Sequence, residues 1–117
     1  MKTLIVINDP PYGSERAYNA LRLAIALQKR NPERELTVFL MADAVSAAKA
    51  GQKTPNGYYN IERMLKLVLT NKGRVLLCST CMNARGLEEA ELTNGAQRSS
   101  MEELATVTDE ADKVLVF

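Results

Sequence analysis

The chain has 117 residues, 46% hydrophobic and 25% charged, which suits one globular domain and argues against a disordered segment or a disulfide scaffold. Its net charge is +1, divided as +3 up to Tyr58 and −2 beyond it, with no block of like charges, so no basic footprint for nucleic acid is present. There is no histidine, which excludes Ser-His-Asp and Cys-His catalysis and histidine-ligated metals, and no run of about 18 apolar residues, which excludes a membrane-spanning helix.

Residues 2–8 hold the continuous apolar run Leu4-Ile5-Val6-Ile7 and read as a strand buried on both faces. A signal peptide would need a longer apolar region and a cleavage site, so a cytosolic location is expected. Asp9-Pro10-Pro11-Tyr12-Gly13 is a loop, and Ser14 is the expected N-cap of a helix over about 15–30. On that helix Ala17, Tyr18, Leu21, Ala24 and Ile25 recur at helical spacing. Ala20, Leu23 and Leu27 add a second apolar stripe, the pattern of a helix wedged between layers or subunits, and point to an oligomer.

Asn31-Pro32-Glu33 ends the helix, and residues 35–41 form a second buried strand. Asp43 is expected to cap a short helix over 44–50 that Gly51 closes, before a polar loop over 51–57. Asn60 begins a helix to about Lys72, with Ile61, Met64, Leu65 and Val68 on one face and Gly73 at its end. Residues 74–78 are a third strand, followed by a tight turn and one helical turn over Ser79 to Gly86. The polar stretch 87–98 allows a short strand near Ala96–Arg98. Ser100-Met101-Glu102-Glu103 fits a capping box for a helix to about Glu110, and residues 113–117 are a last strand. Strands alternating with helices predict an α/β fold, a mostly parallel sheet covered by helices on both faces.

In open α/β sheets ligands bind beyond the carboxyl ends of the strands. Three loops leave such ends: 9–13, Ala42–Asp43 and Cys78–Gly86. The first lacks the glycines of a Walker A or dinucleotide fingerprint, so neither ATP nor a dinucleotide is expected. The third carries Cys78-Ser79-Thr80-Cys81, a C-x-x-C at a strand-to-helix transition. Residues three apart on a helical turn lie about 5–6 Å apart, within disulfide reach. A thiol at a helix N-terminus meets unpaired N–H groups that favour its thiolate, and Arg85, four residues past Cys81, adds positive charge on the same face. Two other readings of the pair stand beside this one. The cysteines could be small buried residues, or two subunits could pool four of them around zinc. From one chain no metal and no cofactor is expected.

The segments Pro11-Tyr12-Gly13-Ser14-Glu15, Leu21–Leu27, Phe39–Val45, Gly57–Ile61, Leu77–Cys81 with Arg85-Gly86, and Ala111–Leu115 together resemble the DsrE/DsrF-like family, in particular its YchN-type branch. The resemblance runs in order over nearly the whole chain, as one domain over 1–117. It implies a three-layer α/β/α domain with a five-stranded parallel sheet and assembly as a homo-oligomer, a trimer or hexamer. Sulfur-relay members carry a persulfide on a cysteine that aligns with Cys78 and exchange it with donor and acceptor proteins. Cys81 belongs to the YchN-type branch, where a second thiol could resolve the persulfide as a disulfide. On this reading Cys78 is the sulfur carrier, Cys81 an auxiliary thiol, and Arg85, Tyr12 and Ser14 stabilise the anion. A dithiol–disulfide cycle on the same pair and a non-catalytic assembly module are the alternatives.

Overall fold

The computed structural model describes residues 1–117. Five strands, β1 (Lys2–Ile7), β2 (Glu35–Leu40), β3 (Arg74–Cys78), β4 (Gln97–Ser99) and β5 (Lys113–Val116), form one sheet in the order β4-β3-β2-β1-β5. Every neighbouring pair is parallel. The helices are α1 (Arg16–Arg30), α2 (Ile61–Thr70), α3 (Ser79–Ala84) and α4 (Met101–Glu110), with 3-10 turns at Ala42–Ala48 and Glu89–Glu91.

Alternation along the strands sorts the core into two layers. Ile5, Ile7, Leu36, Val38, Leu40, Val75 and Leu77 face one side, where they pack with Ala17, Leu21 and Ala24 of α1, Ile61, Leu65 and Val68 of α2, and Met82 of α3. Leu4, Val6, Phe39 and Leu76 face the other, under Leu104 of α4. This is the three-layer α/β/α arrangement with a five-stranded parallel sheet. The first layer is far larger, because α4 alone covers the second.

The second stripe of α1 is largely used inside the chain. Ala20 is fully buried and Leu27 packs against the main core.

Capping departs from the sequence pattern in several places. Asn60 caps α2 as expected, its side chain accepting from the Arg63 N–H at 3.0 Å. Ser14 does not cap α1. That helix begins after Glu15 with no side-chain cap, and the Ser14 hydroxyl donates to Asp9 Oδ2 at 2.7 Å. Asp43 lies inside the 3-10 turn, which begins after Met41 and ends at Ala48, ahead of Gly51. Ser100 accepts from the Glu103 N–H at 3.1 Å, but the Glu103 carboxylate is held by the Ser99 hydroxyl, so only half of the capping box forms.

The end of α2 has an unusual division of labour. Lys72, at φ 70°, takes the left-handed position that a glycine usually fills. The Lys72 N–H donates to Leu69 O and the Gly73 N–H to Val68 O, at 3.1 and 2.8 Å, which together make a Schellman motif. Gly73 serves instead for close approach: a Cβ there would stand 2.6 Å from Val68 Cγ1 and 2.8 Å from Val68 O. Gly73→Ala is therefore expected to destabilise the fold by about 1–3 kcal/mol through overpacking. Lys72→Gly, which relieves the left-handed strain, should stabilise it by up to about 1 kcal/mol. Urea midpoints of the two variants check both signs.

Candidate functional site

β3 is an interior strand, flanked by β4 and β2, and its last residue, Cys78, is also the N-cap of α3. Backbone continuity therefore fixes the sulfur at the sheet's carboxyl rim. Cys78 Sγ accepts the Cys81 backbone N–H at 3.3 Å, a capping bond made by sulfur where an oxygen is usual. The Cys81 thiol stands 2.7 Å from the same sulfur, and both cysteines are free and half-buried. A disulfide, at about 2.05 Å, would require a shift of less than about 1 Å.

The Cys78 thiol titrates above its ordinary value, and burial is the largest cause. The hydrogen bond with the Cys81 thiol adds to the rise, while the backbone N–H groups of Cys81 and Thr80 pull against it. This reverses the direction expected from the strand-to-helix position. α3 has only six residues, so its dipole is short, and desolvation of the charged form wins.

Arg85 closes α3 at its C-terminal end. Its Nε donates to Asp43 Oδ1 at 2.8 Å, its Nη2 stands 2.8 Å from the same oxygen in an ion pair, and its Nη1 donates to the Cys81 carbonyl at 3.0 Å. The guanidinium thus reaches the backbone of Cys81. Asp43, in the turn after β2, is a site residue whose partner sequence reading did not identify. Arg98 on β4 is another: its Nη1 donates to Ser79 Oγ at 2.6 Å, to Asn83 Oδ1 at 3.1 Å and to Ser79 O at 3.4 Å. The one available sequence signal was that Asp43, Cys78 and Arg98 lie at or just beyond the ends of adjacent strands.

Tyr12 and Ser14 bond elsewhere. The Tyr12 hydroxyl donates to Gln52 Oε1 at 2.6 Å and accepts the Ile61 N–H at 3.1 Å, which ties the loop after β1 to the start of α2. Tyr12 also stacks on Tyr59, with ring centroids 5.8 Å apart, and Tyr59 stacks in turn on Tyr18 and Tyr58. Ser14 keeps to Asp9 and the Arg16 N–H. Neither hydroxyl bonds to a cysteine.

The larger surface cleft, about 410 Å³, opens at the amino-terminal ends of β1, β2 and β3. Lys2, Arg34, Lys72 and Arg74 line it together with Glu33, Glu35, Glu103 and Glu110, so it has no dominant sign, and neither cysteine reaches it. No three Cys, Asp or Glu side chains converge as a metal-ligand set. No helix is long and apolar enough to cross a membrane.

The family model described as the DsrE/DsrF-like family matches residues 1–117. The chain is 46% identical over 116 residues to protein YchN of Escherichia coli K12, covering 99% of this chain and 98% of that one. It is 36% identical over 117 residues to protein MJ0989 of Methanocaldococcus jannaschii, covering both chains fully. The crystal structure of the E. coli YchN protein superposes with a TM-score of 0.95 over 99% of this chain and 98% of that one. A protein of unknown function from Methanobacterium thermoautotrophicum, MTH1491, shares the fold at 12% identity, with a TM-score of 0.81 over 99% of this chain and 98% of that one.

The thiolate is the reactive form of cysteine, so a raised pKa leaves Cys78 protonated at pH 7. Its alkylation by iodoacetamide, followed by peptide mass spectrometry, should accelerate through the alkaline range with a midpoint above the ~8.5 of a free thiol. A midpoint below that value would mean that the amides outweigh burial.

Proposed function

The chain belongs to the DsrE/DsrF-like family, and from that premise and the setting of Cys78 we propose that it carries sulfane sulfur as a persulfide on Cys78. The Cys78 thiolate attacks the outer sulfur of a donor persulfide. The donor's S–S bond breaks and the donor leaves as a thiolate, so no oxidant is consumed. An acceptor thiolate then attacks the terminal sulfur and Cys78 leaves as its thiolate.

The observation that carries this reading is a half-buried sulfur at the tip of an interior strand, held by a backbone N–H 3.3 Å away. That contact orients Cys78 Sγ, and in this reading the incoming sulfur takes the place beside it that the Cys81 thiol now fills at 2.7 Å. Arg85 acts through the Cys81 carbonyl. The Tyr12 and Ser14 hydroxyls bond to Gln52 and Asp9 rather than to a cysteine, so the step as proposed gives them no direct contact with the sulfur. The reading includes donor and acceptor proteins that meet Cys78 at the rim. It also includes a homo-oligomer, a trimer or hexamer, in which a second copy covers exposed apolar side chains such as Met101 and Val116.

The 2.7 Å separation of the two sulfurs favours a second reading, in which Cys78 and Cys81 cycle between dithiol and disulfide. Incubation with a polysulfide followed by mass spectrometry separates the two. Persulfide carriage predicts an added mass of one sulfur, about 32 Da, on the Cys78 peptide. The adduct should vanish in Cys78→Ser and remain in Cys81→Ser. No adduct in Cys81→Ser, with only a Cys78–Cys81 disulfide in the unaltered chain, would replace the carrier reading with the dithiol cycle.

A further inference from the structure

Two arginines from different parts of the chain converge on the six-residue helix α3. Arg98 holds its first turn through Ser79 and reaches Asn83. Arg85 holds its far end, bonded at once to Asp43 and to the Cys81 carbonyl. We propose that this double clamp is a positioning device: Asp43, acting through Arg85, and Arg98 set the spacing of Cys81 from Cys78 and so regulate how readily the pair closes to a disulfide. The inference rests on the reading that the two thiols act together, and it goes beyond that reading in assigning roles to Asp43 and Arg98.

An isolated helix of six residues is unstable in water, so its place must come from tertiary contacts. Of its side chains only Met82 is buried in the core. The polar contacts carry the rest, and they come from both sides of β3: the turn after β2 supplies Asp43, and β4 supplies Arg98. Ala42, just before Asp43, sits at φ 51°, a left-handed conformation uncommon for alanine. The backbone there is bent where the carboxylate meets Arg85. The Arg85–Asp43 pair is largely solvent-exposed and contributes little to global stability, so its loss should leave the fold intact. What its loss changes is the local freedom of the turn bearing Cys81.

The test is equilibration of the reduced protein with defined mixtures of oxidised and reduced glutathione. Each closure transfers two electrons from the two thiols to one oxidised glutathione, forms one protein S–S bond and releases two glutathione thiols. Alkylation and mass spectrometry give the disulfide fraction. A clamp that fixes the sulfurs in near-contact raises their effective concentration. Asp43→Asn and Arg98→Met should each therefore lower the closure constant about tenfold, equivalent to about 30 mV for a two-electron couple. Asp43→Glu should recover most of the effect, and thermal melts should stay within a few degrees of the unaltered chain. Closure constants within twofold of the unaltered chain in folded Asp43→Asn and Arg98→Met would overturn the proposal. This readout involves no persulfide: a shifted closure constant without polysulfide loading sinks only the carrier reading, and loading without the shift sinks only the clamp.

Discussion

Cys78 ends β3 and begins α3, so one sulfur occupies the position where a helix ordinarily carries a hydroxyl or carboxylate. Its bond to the Cys81 N–H is part of the local fold and also the contact that any negative charge on the sulfur would strengthen. Structure and chemistry are therefore coupled at one atom. A group that departs from Cys78 leaves the cap in place, whereas a disulfide redirects the sulfur toward a partner one turn along. Holding that turn still is the demand that Arg85 and Arg98 meet from its two ends.

The sheet explains why this atom is at the rim at all. All strands run parallel, so every carboxyl end lies on one edge, and β3 has neighbours on both sides. Register sets Cys78 beside Ser99 of β4. The chain reverses its winding between β1 and β5, the place where doubly wound sheets usually open a crevice. Here the Asn8 N–H donates to Phe117 O at 2.8 Å and knits that gap. The thiols lie two strands away, in a niche built by α3 and the turn after β2. The larger cleft lies instead at the opposite end of the sheet, where cations and carboxylates are mixed and neither cysteine is present.

Element type and order were legible because buried parallel strands leave continuous apolar runs and amphipathic helices leave a 3.6-residue period. Val38, Phe39 and Leu40 could only be a strand with two covered faces, and they are. The details that failed were choices between competing partners. Ser14 had the side chain of a cap but found Asp9 nearer. Glu103 stood at the capping-box position but bonds to Ser99. Gly73 looked like a helix stop, yet Lys72 takes the left-handed turn and Gly73 makes room for Val68. At the thiols, the motif was visible but the balance was not: the amides that favour charge can be read from sequence, whereas the burial that opposes it depends on packing from distant segments. Arg98 could be placed near a strand end, but a three-residue strand has too little pattern to announce what its side chain will reach.

That balance bears on what kind of chemistry the site favours. Burial penalises charge placed on Cys78 Sγ itself, so the resting thiol is a poor nucleophile at neutral pH. In the proposed persulfide the charge would sit on the terminal sulfur, about 2 Å from the Cys78 Sγ that burial penalises. The inner sulfur keeps its N–H contact while the cost of burying charge falls. Under the proposed carrier role, the resting thiol would load slowly at neutral pH, and the loaded form would carry its charge on the terminal sulfur. What the fold itself sets is the competition at Cys78 between burial, which opposes charge on the sulfur, and the backbone N–H groups of the first helical turn, which favour it.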